Sequence, residues 1–224
     1  MPPVRRPLVR GTHLRAGASA LGLALLAACG SKDPGNVPPE KLVNRPLITP
    51  GLAGQQIAVL PLTLLLVDEQ TAADAPFTER RRALTWGDSL VGRSLQDRAP
   101  EVNWVLPAEL RKLARRSPGV VVDPDQMGQA ILRAPSLKIT PDPLRSELRS
   151  LTAVAGGRFV LVPAGLNLER TAGGLVKASL WLVMVDARTG LMPFRTLAEG
   201  EAGTPSAAVR GALASVLPVE GIGE

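Results

Sequence analysis

Residues 57–60 of this 224-residue chain read Ile-Ala-Val-Leu, and Pro61 stops the run. A stretch that is apolar at every position, rather than at alternate ones, suits a strand buried on both faces. A sheet built around such a strand needs cover on both sides, and the following sequence supplies it. Over 78–100, "TERRRALTWGDSLVGRSLQDRAP" places Leu84, Gly87, Val91 and Leu95 on one helical face, with Ala83 and Leu90 beside them. "EVNWVLP" is a short strand ending at Pro107, which opens a helix over 107–116 with Leu110, Leu113 and Ala114 inward. Asp123-Pro124-Asp125-Gln126 carries a helix-start signal. It predicts a helix over 123–133 with Met127, Ala130, Ile131 and Ala134 as its apolar stripe. The signal returns at Asp142, with Leu144, Leu148, Leu151 and Ala155 inside and Gly156-Gly157 as the stop.

The last third is strand-rich. "RFVLVPA" (158–164) reads as a strand, 165–174 as a linking turn, and 175–202 as a hairpin turning at Asp186-Ala187-Arg188-Thr189-Gly190. A final helix follows, with Thr204 as cap, Pro205 at its first position, and Val209, Ala212, Leu213 and Val216 inward. The expected fold class is α/β: a single sandwich domain with a mixed sheet, mainly antiparallel plus parallel, of about five strands flanked by helices. Residues 62–78 stay open between a second strand and a long packed loop.

The chain ahead of this domain has a different character. Residues 1–15 hold Arg5, Arg6, Arg10 and Arg15 and no acid, and Ala16–Ala28 contains only Ala, Gly, Ser and Leu. A charged region followed by a short apolar run reads as an export signal, and roughly 20 apolar residues would be needed to span a bilayer. The lone cysteine, Cys29, could by type be a free thiol, a metal ligand or half of an intermolecular disulfide. Leu26-Ala27-Ala28-Cys29 instead matches a bacterial lipobox, in which the chain is cut before a diacylated cysteine and the new amino group is acylated. Two or more acyl chains hold a protein firmly on a membrane. The organisation expected is a signal peptide over 1–28, a lipidated Cys29 and Pro/Gly-rich tether over 29–55, and a periplasmic domain over 56–224. No cofactor is expected beyond covalent lipid. Gly30 after the cysteine, where an aspartate would favour inner-membrane retention, points to the outer membrane where a cell has one.

Cleavage before Cys29 changes the chemistry available. Taking those four arginines from 26 Lys+Arg leaves 22 against 20 Asp+Glu, so a charge of +6 falls to about +2. The basic balance then gives no case for nucleic acid, which would need a basic stripe with aromatic platforms. The only histidine, His13, departs as well. Without His or a free thiol, Ser-His-Asp, Cys-His and His/Cys–zinc chemistry are excluded. A carboxylate- or Ser-dependent hydrolase has no motif to rest on. Asp123, Asp125 and Asp142 are the acids closest to a metal-ligand spacing, and two of them are explained as helix caps.

"IAVLPL", "GGRFVLVPAGL", "ASLWLVMVDARTGLMPFRTLAEG" and the short final helix together resemble a family of bacterial envelope domains. The family includes the curli-secretion lipoprotein CsgG, the amino-terminal domain of TolB, and outer-membrane lipoproteins that activate penicillin-binding proteins. The resemblance spans roughly 56–217. It implies the same sandwich and an envelope role; function drawn from fold is analogy. The pore-forming relative inserts amphipathic hairpins, whereas "LVKASLWLVMV" is apolar on both faces and reads as a core strand.

The function expected is a non-enzymatic module that binds an unknown protein of envelope assembly, secretion or peptidoglycan machinery, with a second copy of the chain as a further possible partner. The alternative is a lipid-handling or transporter-auxiliary lipoprotein, with 175–185 and Leu62–Val67 lining a groove. Candidate partner-binding residues are Arg82, Trp86 and Arg93 on one helix stripe, and the apolar Leu64, Leu65 and Leu66. Trp86 reads either as covered by a loop or stacked on Arg82, or as an exposed aromatic–arginine patch of the kind enriched at interfaces.

Overall fold

A computed structural model describes residues 42–217. The chain runs β1 (Gln56–Val59), β2 (Leu65–Val67), α1 (Glu69–Ala72), α2 (Arg80–Arg98), β3 (Asn103–Val105), α3 (Pro107–Arg116), α4 (Leu144–Ala155), β4 (Phe159–Arg170), β5 (Val176–Asp186), β6 (Phe194–Ala202) and α5 (Pro205–Val216). The fold is α/β, with one mixed sheet in the order β3-β1-β4-β5-β6 and β2 paired to β4 beyond β1. β1 is parallel to β3 and β4, β2 is parallel to β4, and β4-β5-β6 is an antiparallel meander.

The apolar run of β1 sits at the centre, as its sequence requires. Ile57 and Val59 enter a core with α2 and α5, while Ala58 and Leu60 enter a second core with α3 and α4 on the opposite face. Pro61 ends the strand because it has no N–H to give the ladder. The chain is nevertheless held at the break. The Leu62 amide donates to Asp88 Oδ1 at 2.7 Å, and the Pro61 carbonyl accepts from Gln129 Nε2 at 2.9 Å. Pairing to β4 then resumes at Leu64, whose carbonyl accepts from the Leu166 amide. The apolar persistence of 62–67 thus ends in a sixth strand, β2, over Leu65–Val67.

Two segments differ from the sequence expectation. The helix expected over 123–133 is two 3-10 turns, Pro124–Gln126 and Gln129–Arg133, separated by Gly128 at φ +69°. A glycine in the left-handed region breaks helical propagation, and the stripe is lost with it. Met127 stays buried, but Gln129 and Leu132 take the inner positions and Ile131 is exposed. The turn expected over 165–174 begins only at Thr171. β4 runs on to Arg170, because β2 on one side and β5 on the other both give Leu166–Leu168 ladder partners. The expected Asp142 cap is also shifted: its carboxylate accepts the Ser146 hydroxyl, and the helix starts after Pro143.

The tether expected to reach residue 55 is already docked at Leu42. Val43 bridges Leu197, the Asn44 amide donates to the Leu197 carbonyl, and the Leu47 amide donates to the Val216 carbonyl. Asn44, at φ 50°, turns its Oδ1 to the Glu199 amide and the Ser215 hydroxyl. These contacts cover the outer edge of β6, a place where exposed strands are prone to mispair. α5 lies on β6 through a glycine contact. A Cβ on Gly200 would stand 2.3 Å from the Ala212 nitrogen, so the helix seats at backbone distance. The Thr204 hydroxyl caps α5 by accepting the Ala207 amide.

Candidate interaction surface

The residues proposed from sequence fall in separate places. Cys29 lies outside the described residues. Leu65 and Val67 turn their side chains toward α2, Leu64 lies beside Gly165 on the other face, and Leu66 is 49% exposed. β2 is bonded to β4 on one side only. In the parallel register the main-chain groups of Leu64, Leu66 and Asp68 face β4, so those of Leu65 and Val67 face outward. Among the described residues nothing accepts from or donates to those outward groups.

Trp86 does not form a patch with Arg82 and Arg93, although the three share a helical stripe. Its indole N–H donates to the Ser206 hydroxyl of α5 at 3.2 Å, and its ring meets Phe77 edge-on at 5.0 Å. Trp86 therefore fastens α2 to α5 under the 73–79 loop. Arg82 pairs with Glu79 at 2.8 Å on the exposed surface, and Arg93 donates to the Ser89 carbonyl of its own helix. In the 175–185 run of the lipid-groove alternative, Leu175 is exposed and Trp181 half-exposed, while the other apolar residues are spent in the core; of Leu62–Val67, Leu62 is buried and Leu66 exposed.

A larger feature brings together residues that sequence reasoning left apart. A cleft of about 840 Å³ lies between α2 and α3 and is lined by Arg80, Arg81, Leu84, Arg111, Arg115 and Asp125 among others. It opens beside the carboxyl end of β1, where the connections part. The β1–β3 connection carries α2 on one face, and the β3–β4 connection carries α3 and α4 on the other. Open α/β sheets leave a crevice at such a point. Its walls are held by one guanidinium. Arg111 donates to both oxygens of Asp125, at 2.8 and 2.7 Å, and to Asp88 Oδ2 at 2.8 Å. Burial pushes the Asp88 carboxyl up, against the Leu62 amide and Arg111, which pull it down. The Arg111 guanidinium is made still harder to deprotonate, chiefly by its bonds to Asp125.

The rim is cationic. Arg80 donates to the Thr63 carbonyl, whereas Arg81 and Arg115 make no ion pair or side-chain hydrogen bond among the described residues. The sequence signal was slight. Arg80-Arg81-Arg82 reads as a solvated helix turn, and the 23-position separation of Asp88 and Arg111 gives no hint of contact. Leu84 and Ala114, expected inside, are only half-buried because they form cleft wall.

The remaining acids are structural. Asp123 accepts the Asp125 amide, and Asp142 stands apart on its own helix turn; among the described residues no group of three or more acids, His or Cys is placed to hold a metal. In the 186–190 turn, Asp186 accepts the amides of Arg188 and Thr189 and pairs with Arg158. The Arg158 bond, with those amides, holds its carboxyl well below the usual carboxylate range.

No protein-family model matches the chain, and no curated protein matches it. Three solved structures are similar. The LpoB C-terminal domain from Salmonella enterica matches at a TM-score of 0.35 and 12% identity, covering 68% of this chain and 84% of that one. The LpoB C-terminal domain from Escherichia coli matches at 0.35 and 14%, covering 74% and 92%. The lipoprotein GNA1162 from Neisseria meningitidis matches at 0.32 and 14%, covering 67% and 82%.

Proposed function

We propose that this protein is a lipid-anchored, non-enzymatic interaction module of the bacterial cell envelope. In this reading it is acylated at Cys29, faces the periplasm from the outer membrane, and docks a protein of envelope assembly, secretion or peptidoglycan machinery. The observation that carries the docking half is the open outer edge of β2, in contrast to the covered edge of β6. The β6 edge is covered by residues 42–47, while β2 offers the free main-chain groups of Leu65 and Val67 beside an exposed Leu66. An open strand edge is a recognition surface for another chain, main-chain bonds giving affinity and neighbouring side chains giving selectivity. Arg82 and Arg93, exposed along α2, are a second and separate candidate contact, and Trp86 contributes by holding α2 in place.

The test is affinity capture from solubilised envelopes with the lipidated protein as bait. Leu66→Asp and Arg82→Glu/Arg93→Glu change exposed side chains, so the fold should survive. The reading expects loss of a specific protein with these variants and its retention with wild type. Equal recovery of the same proteins by all three would remove this surface from consideration.

A further inference from the structure

We infer that the α2–α3 cleft seats an extended, acidic segment of the partner protein, with carboxylates on Arg81 and Arg115 and an apolar side chain on Leu84, Ala114 and Val121. This inference rests on the reading of the chain as an interaction module and names the chemistry of what it binds.

The cleft is built before anything enters it. Arg111 ties α3 to α2 through Asp88 and to the 120s turn through Asp125, so the walls keep a fixed spacing. Those bonds occupy Nε and Nη2 of Arg111 and leave only Nη1 open, so most of the ligand-facing charge falls to the rim. Arg81 on one wall and Arg115 on the other are exposed and without an acidic partner among the described residues. A guanidinium presents paired N–H donors that match a carboxylate, and charges of this kind across an interface select the partner and its register. The lining also includes the apolar Leu84, Ala114 and Val121, and about 840 Å³ suits several residues rather than one ion.

The same lining argues against other polyanions. None of the lining residues is aromatic, so there is no platform for bases. Asp123 and Asp125 also line the cleft, and a continuous row of phosphates would meet them. Spaced carboxylates on a peptide avoid that repulsion.

The experiment uses the full lipoprotein in intact envelopes. Thr85, exposed on the cleft wall, is replaced by the photocrosslinker p-benzoylphenylalanine, and in a parallel strain Leu66 is replaced likewise. Crosslinked peptides are sequenced by mass spectrometry. The inference expects position 85 to capture a protein segment rich in Asp and Glu. Arg81→Glu/Arg115→Glu should lower that yield about tenfold or more, and Lys substitutions in the captured segment should restore it to the charge-reversed variant. Because both arginines are exposed, an unchanged melting temperature verifies the fold. Capture of a segment without acids, of lipid or of glycan at position 85, or a yield indifferent to charge reversal, overturns the inference. Silence at 85 with capture at 66 overturns it while leaving the interaction module standing, and silence at both removes the two together.

Discussion

Asp186 ties three chain segments together through one carboxylate: the end of β5, the turn amides of Arg188 and Thr189, and Arg158 ahead of β4. Its side chain is 5% exposed, so the bonds are made where water competes weakly. Asp186→Asn keeps the shape and removes the charge, and hydrogen bonds to a charged group are each worth about 1.5–3 kcal/mol. We expect a loss of about 2 kcal/mol by urea denaturation at neutral pH. The sign of the pH dependence follows from the lowered pKa. The ionised form is preferred in the folded state, so the stabilisation is full above the unfolded value of about 3.9 and is lost as pH falls below it. The Asn variant should accordingly show a flatter acid limb, and an unchanged limb would contradict this role. Trp86 makes a second residue-scale case. Its indole joins α2 to α5, so Trp86→Ala should cost about 3 kcal/mol, a loss of fold stability that capture experiments must not mistake for loss of a contact.

Among the elements, α5 and the 42–49 segment decide whether the β6 edge is protected. Gly200→Val puts a side chain where α5 backbone already stands, 2.3 Å from the Ala212 nitrogen. Overpacking of that kind costs about 3 kcal/mol, and thermal unfolding should register it as a large fall in melting temperature. Asn44→Ala leaves the Glu199 amide without its acceptor. Hydrogen exchange at Glu199 should then speed up while exchange in the β4–β5 ladder stays slow; uniform acceleration would show that 42–47 is integral to the global fold rather than an edge cover. These elements also show what was legible in the sequence. β1, α2, α3, α4, α5 and the 175–202 hairpin are readable because apolar period, caps and turn residues agree along a short stretch. The 123–133 segment was misread because cap and period pointed one way while Gly128 took a left-handed conformation. The extent of β4 and the docking of 42–49 were hidden because both depend on partners far along the chain. The cleft was hidden for the same reason: Asp88, Arg111 and Asp125 lie on three elements.

For the whole molecule, the docked 42–49 segment would limit the reach of the domain from the proposed anchor at Cys29. From Cys29 to Leu42 there are 13 residues, which reach at most about 45 Å when fully extended. A tether free to residue 55 would reach roughly twice as far. If Cys29 carries the proposed lipid, a partner engaged through β2 or the α2–α3 cleft would be met within that shorter reach of the membrane. Inserting a 15-residue Gly/Ser spacer after Pro34 should leave the melting temperature unchanged and weaken capture of a membrane-bound partner, whereas unaffected capture would show that anchoring distance is immaterial. The proposed envelope role depends on lipid at Cys29, since cleavage there would also remove His13 and lower the charge. The direct measurement is the intact mass of the protein purified from membranes. The account predicts a chain beginning at Cys29 and carrying diacylglyceryl and N-acyl mass, lost from the membrane fraction on Cys29→Ser. A mature chain that begins elsewhere, or an unmodified Cys29 in a membrane-bound protein, would contradict it.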